Sequence, residues 1–75
     1  MKITVKLIGP LIYDAGFSEK ELELPGPVTA GELVPLVKID RARPVIVTRN
    51  GKAVAQGDAL EDGDRVVISH IYSGG

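Results

Sequence analysis

The stretch that decides the fold is residues 60–75, LEDGDRVVISHIYSGG. Asp62–Gly63 reads as a tight turn, because glycine supplies the backbone angles that other residues avoid. The turn opens directly into RVVISHIY, where Val66, Ile68 and His70 fall on one face of a strand and Val67 and Ser69 on the other. That strand runs on, with no linker, into Ser73, Gly74 and Gly75. Two terminal glycines carry no Cβ to block the close approach of another backbone. They leave a carboxylate as the last group of the sequence.

Working upstream, the rest of the chain supplies partners for that strand. KITVKLI (residues 2–8) alternates with period two, Ile3, Val5 and Leu7 inward and Lys2, Thr4 and Lys6 outward, and Gly9–Pro10 stops it. LIYDAGFS (residues 11–18) has no clean period and reads as a loop or irregular turn covering one end of the core. EKELELP (residues 19–25) alternates again, with Leu22 and Leu24 inward and Glu19, Glu21 and Glu23 outward, so it can pair with the first strand as a long-looped hairpin. Thr29 and Glu32 fit a capping box, with Val28 and Leu33 at the staple positions. Leu33, Leu36 and Val37 continue at helical spacing and predict a helix over roughly 30–38. Pro35 conflicts with that helix, since it removes a backbone bond and should kink or shorten it. RPVIVTRNGKAVA (residues 43–55) is a hairpin, with Asn50–Gly51 as a type I′ turn.

The order is strand, strand, helix, strand, short strand, strand. This predicts an α+β fold in which a mixed sheet of about four to five strands packs on one main helix. A chain of 75 residues is one domain, spanning 1–75, with 72–75 expected as a flexible tail.

Composition narrows the function. There is no cysteine, so neither a disulfide framework nor a thiolate metal site is available, and a reducing, cytoplasmic setting is expected. The net charge is −1 with both signs interspersed, and the aromatics are only Tyr13, Phe17 and Tyr72. That is a poor footprint for nucleic acid. No apolar run approaches the length of about 18 residues needed for a membrane span, and the N-terminus lacks a signal-peptide pattern.

The body of the chain offers little chemistry. His70 is the only histidine, and its neighbour Ser69 points to the opposite face of a strand, so the two cannot form a nucleophile–base pair. Asp58, Glu61, Asp62 and Asp64 lack the alternating ligand spacing of a calcium loop and read as solvated turn residues. GPLIYDAG has neither the glycine pattern nor the Lys-Ser/Thr pair of a phosphate loop. Lys38, Arg41, Arg43 and Arg49 form a mildly basic segment that reads as a solvated rim, with docking of an acidic partner as the alternative. Weight therefore moves to the Gly75 carboxylate, which becomes a good acyl electrophile once adenylated.

The strand and helix order, LEDGDRVVI and the final SGG together resemble the ubiquitin-like β-grasp proteins. They are most similar to the ThiS/MoaD family of sulfur carriers, over essentially the whole chain. TAGEL at the helix start and VTRNGKAV at the hairpin lie where that family carries similar segments. The resemblance implies a carrier protein that is not itself an enzyme. A ubiquitin-activating-type adenylyltransferase would use ATP to adenylate Gly75, with no cofactor bound by the carrier. Sulfur from a cysteine desulfurase or rhodanese would then give a thiocarboxylate, which donates sulfide on an acceptor synthase large subunit.

Gly74 and Gly75 are the matched functional positions. Ser73, Tyr72 and Ile71 match in location, as the tail that threads the partner. Tyr72, Ile71 and the outward side of the last strand either dock a partner or close the end of the core. The long segment between the first two strands resembles the molybdopterin or tungstopterin branch, which ranks first. Against it, HIYSGG lacks the proline often found before Gly-Gly in that branch. Thiamine synthesis, tRNA thiolation, protein conjugation and a non-carrier interaction domain are the alternatives.

Overall fold

Alternation in the first strand becomes the floor of the core. In a computed structural model that describes residues 1–40 and 42–71, β1 (Lys2–Ile8) buries Ile3, Val5 and Leu7. It pairs antiparallel with β2 (Glu19–Glu23), with Ile3 opposite Leu22 and Lys2 opposite Glu23. The outward residues of this hairpin carry opposite charges, and Lys2 Nζ lies 3.4 Å from a Glu21 carboxylate oxygen. On an open face such pairs favour the native register more than they stabilise the fold.

Between these strands lies α1 (Leu11–Ala15), where the sequence reading placed a loop. Pro10 begins it with a fixed φ, and Gly16, at φ 85°, ends it by donating its N–H to the Ile12 carbonyl. With five residues and only Leu11 wholly buried, α1 shows too little of a helical period to be recognised in sequence.

The second helix, α2 (Ala30–Leu36), has the expected capping box: Thr29 Oγ1 accepts from Glu32 N at 3.2 Å and Glu32 Oε1 accepts from Thr29 N at 2.9 Å. It is shorter than the expected 30–38. Pro35 cannot donate, and the chain leaves the helix through Lys38 at φ 65°. There Ile39 N bonds the Val34 carbonyl and Lys38 N the Pro35 carbonyl, a left-handed exit normally reserved for glycine. Ala30, Leu33 and Val34 face the sheet.

Strands β3 (Val45–Arg49) and β4 (Lys52–Val54) form the expected hairpin, with Asn50 at φ 51° and Gly51 at φ 87°. Finally β5 (Arg65–His70) inserts between β1 and β3, parallel to the first and antiparallel to the second. The sheet order is β2-β1-β5-β3-β4. The last strand is thus the middle strand, and Val66 and Ile68 are completely buried beneath α2 with Leu33 and Leu60.

Of the four turn acids, Asp58, Glu61 and Asp62 are exposed as expected, and the structure corrects the reading for Asp64 alone. Asp64 is 5% exposed and accepts three hydrogen bonds: from Arg49 Nε at 2.6 Å, Glu61 N at 2.7 Å and Asn50 Nδ2 at 3.0 Å. Burial pushes its pKa up, but the Glu61 amide, the Asn50 side chain and the Arg49 guanidinium together hold it below the usual carboxylate value. The Asp64 bond in turn raises the pKa of Arg49. Asp58 caps a local amide, accepting from Ala55 N at 2.8 Å, and Asp62 accepts from Lys2 N at the start of β1 at 2.6 Å. Arg49 is accordingly part of the turn architecture, and Arg43 pairs with Asp14. Neither belongs to an unpaired basic rim.

Candidate functional site: the root of the C-terminal tail

A central strand is the most firmly held place from which to launch a terminal segment, because hydrogen bonds grip it on both sides. β5 is such a strand. The last described contact continues the ladder: Ile71 N donates to the Pro44 carbonyl at 3.1 Å. Pro44 is fixed in turn by its place at the start of β3, and neighbouring Arg43 forms an ion pair with Asp14 of α1 at 2.5 Å. Asp14, Arg43, Pro44 and His70 line one cleft at this end of the sheet. The tail root is therefore held by α1, the loop before β3, and β5 together.

Ile71 is 39% exposed, so it does not close the core. Tyr72, Ser73, Gly74 and Gly75 lie outside the described residues.

The outward face next to the root, which the sequence reading offered as a docking side, carries two residues that it did not single out, Ile8 and Ile46. The register sets Ser69 between Ile8 of β1 and Ile46 of β3, and these isoleucines are 46% and 45% exposed. With half-buried Val67, they form a short apolar strip leading to the tail. Farther from the root, the same face is charged by Lys2, Glu21, Glu19 and Arg65. The signal was available: Ile8 has the parity of Lys2, Thr4 and Lys6, and a strand that breaks its own polar face at one end marks a contact surface. Tyr13, 88% exposed on α1, was missed for want of the helix.

Among the described residues no group of three or more His, Cys, Asp or Glu side chains is placed to hold a metal ion, and no helix is long and apolar enough to cross a membrane. The His70 and Ser69 side chains fall on opposite faces of β5, as the strand parity requires.

A mixed five-stranded sheet wrapped on one principal helix, with the chain leaving from the central strand, defines a ubiquitin-like β-grasp domain. Three solved structures share it along most of their length. SAMP1 from Haloferax volcanii is 27% identical, with all of both chains covered and a TM-score of 0.76. A Pyrococcus furiosus protein assigned as molybdopterin converting factor subunit 1 is 26% identical over 93% of this chain and 97% of its own, with a TM-score of 0.78. The thiamine biosynthesis protein ThiS from Geobacter metallireducens is 25% identical over all of both chains, with a TM-score of 0.65. No curated protein matches the sequence significantly. The ThiS family model matches residues 5–75, and the chain belongs to that family of small ubiquitin-like sulfur carriers and modifiers.

Proposed function

We propose that this protein is a sulfur carrier whose reactive group is the Gly75 carboxylate. A carboxylate oxygen attacks the α-phosphorus of ATP on a ubiquitin-activating-type enzyme, pyrophosphate leaves, and an acyl adenylate forms. The terminal sulfur of a cysteine persulfide on a desulfurase or rhodanese then displaces AMP to give an acyl disulfide. A thiol attacks the cysteine sulfur of that bond, releasing the Gly75 thiocarboxylate and leaving the thiol and the cysteine joined as a disulfide. The acceptor synthase large subunit takes that sulfur into its substrate.

The observation that carries this reading is the rigid launch of the tail from the middle strand, beside an apolar strip, in a chain of the ThiS family. The division of labour is physical. Gly74 and Gly75 let the terminus enter a partner's active site, Ile71, Tyr72 and Ser73 line its path, and the strip of Ile8, Ile46 and Val67 gives that partner a dry surface to hold. The carrier supplies no acid, base or metal to the chemistry.

Of the possible acceptors, molybdopterin or tungstopterin synthesis ranks first. The segment carrying α1 supports it, as does likeness to a protein assigned as a molybdopterin converting factor subunit. Thiamine synthesis and tRNA thiolation use the same carrier chemistry. A second reading is favoured by the likeness to SAMP1 over the whole chain: the activated Gly75 carbonyl passes to a lysine of another protein, making an isopeptide bond.

Incubation with the cognate activating enzyme, ATP and a sulfur donor should change the intact mass by one oxygen-to-sulfur replacement. A protein lacking Gly75 should fold normally and show no change. An unaltered mass with an enzyme proven active on another carrier refutes the carrier reading. Recovery of Gly75 on target lysines would favour the modifier.

A further inference from the structure

On one side β3 is paired along its whole length, and on the other it is not. It meets β5 from Val45, opposite His70, to Arg49, opposite Val66. It meets β4 only from Val47, opposite Val54, to Arg49, opposite Lys52. Main-chain groups alternate sides along a strand. Those of Pro44 and Asn50 turn toward β5, since Ile71 N donates to the Pro44 carbonyl and Asn50 N donates to the Arg65 carbonyl. The odd residues 45, 47 and 49 therefore present N–H and C=O on the β4 side, and β4 reaches only the last two of them. Among the described residues, nothing pairs with the Val45 edge.

The cause of the gap lies in α2. After Val54 the chain turns from β3 to the start of that helix, where Gly31 N donates to the Gln56 carbonyl at 2.9 Å and Ala30 N to the Asp58 carbonyl at 2.9 Å. Gly31 makes this possible: a Cβ there would stand 3.0 Å from Gln56 Cβ and 3.1 Å from its carbonyl oxygen. The strand is pulled away and leaves a groove of about 500 Å³ between α2 and β3. Its walls include Val34, Pro44, Val45, Gln56, Gly57 and, at the mouth, Ile71.

We propose that this groove receives an extended segment of the protein that takes up the tail, joined to β3 through the open Val45 N–H and C=O. The occupant is main chain in extended form, because the free groups are one donor and one acceptor at strand spacing, beside apolar Val34 and Pro44. Its source is the tail-binding protein, because Ile71 is both the root of the tail and a wall of the groove. A partner that follows the tail past Ile71 thus passes the open edge. The apolar strip on the opposite face of the sheet and this groove grip the root from both sides. This inference rests on the proposed activation of Gly75.

Two glycines provide the test. Gly57 lines the groove and Gly26 lies in a separate cleft beside Pro25 and Pro27, and an added Cβ at either meets nothing within 4 Å. Gly57→Trp should fill the groove and raise the carrier concentration needed for half-maximal ATP–pyrophosphate exchange by the cognate activating enzyme by about tenfold or more. Gly26→Trp should leave it within about twofold of the unsubstituted protein. Both should melt near the parent temperature. In hydrogen exchange, the Val45 amide of the free protein should exchange faster than that of Val47, then become protected when the enzyme is added.

Unchanged half-saturation for Gly57→Trp, or a Val45 amide that stays open while the tail is engaged, overturns the groove proposal alone. A parent protein that supports no exchange with a competent enzyme overturns the carrier reading beneath it.

Discussion

Replacing Asp64 by alanine should destabilise this domain more than the loss of any exposed acid. The carboxylate accepts from Arg49, Asn50 and the Glu61 amide, joining the β3–β4 turn to the loop that enters the central strand. Hydrogen bonds to a charged group contribute about 1.5–3 kcal/mol each. Three at full value would overstate the loss: Arg49 keeps Glu61 at 3.1 Å, and with the Arg49 side chain 28% exposed, water can solvate the groups left behind. A loss of about 2–4 kcal/mol remains. A domain of this length has roughly 4–11 kcal/mol in all, so the fraction lost is large.

Urea unfolding followed by circular dichroism reads the effect. With a slope of about 1 kcal/mol per molar, the midpoint should fall by about 2–4 M. Glu61→Ala is the control, because its side chain is 76% exposed, and it should shift stability by no more than about 0.5 kcal/mol. If Asp64→Ala moved the midpoint no further than Glu61→Ala, the three bonds would be worth no more than their exchange for water, and the account of this turn would be wrong.

Acid should reveal the same group. The Asp64 pKa lies below its ordinary 3.8, so its stabilisation is fully present above that value and is lost as pH falls through the lower folded one. Asp64→Asn should therefore flatten the fall in stability below about pH 4, and an unchanged acid limb in a pH series of melts would count against the reading. Gly31→Ala should destabilise by about 1 kcal/mol although alanine is the better helix former. Its Cβ would press on the Gln56 carbonyl that Gly31 N must keep, and a rise in melting temperature would show that the loop yields freely. Lys38→Gly should stabilise by about 0.5–1 kcal/mol by relieving the left-handed exit from α2 at φ 65°. Lower stability in chemical unfolding would mean that the lysine side chain matters more than its backbone.

Strand faces were legible because burial on one side leaves a period-two trace: Ile3, Val5 and Leu7, or Val66 and Ile68, cannot be read any other way. The capping box and Asn50–Gly51 were legible because each uses a residue type that its geometry demands. What escaped reading depends on residues distant in sequence. Asp64 looks like any turn acid until the β3–β4 turn brings Arg49 and Asn50 against it. The apolar strip needs the register that sets Ile8 and Ile46 on either side of Ser69. Helix α1 is stabilised mainly by burial of Leu11, a tertiary fact, and propensity over five residues carries little of it.

The same distinction bears on function. On the proposed reading, in which the partners supply the catalytic groups, the protein is recognised by shape and by the position of its terminus, so its specificity lies in features that long-range contacts create. LEDGDRVVI specifies an exposed turn anchored by buried Leu60 and Asp64, and a central strand, and neither depends on which acceptor the proposed carrier serves. Choice among acceptors would then fall to what surrounds the root: Tyr13 and Asp14 on α1, the Arg43 and Pro44 loop, the isoleucine strip, and the open edge of β3. These lie on segments that can change without altering the core. On the proposed carrier reading, one scaffold with a Gly-Gly terminus would serve different acceptors by exchanging the residues around its root.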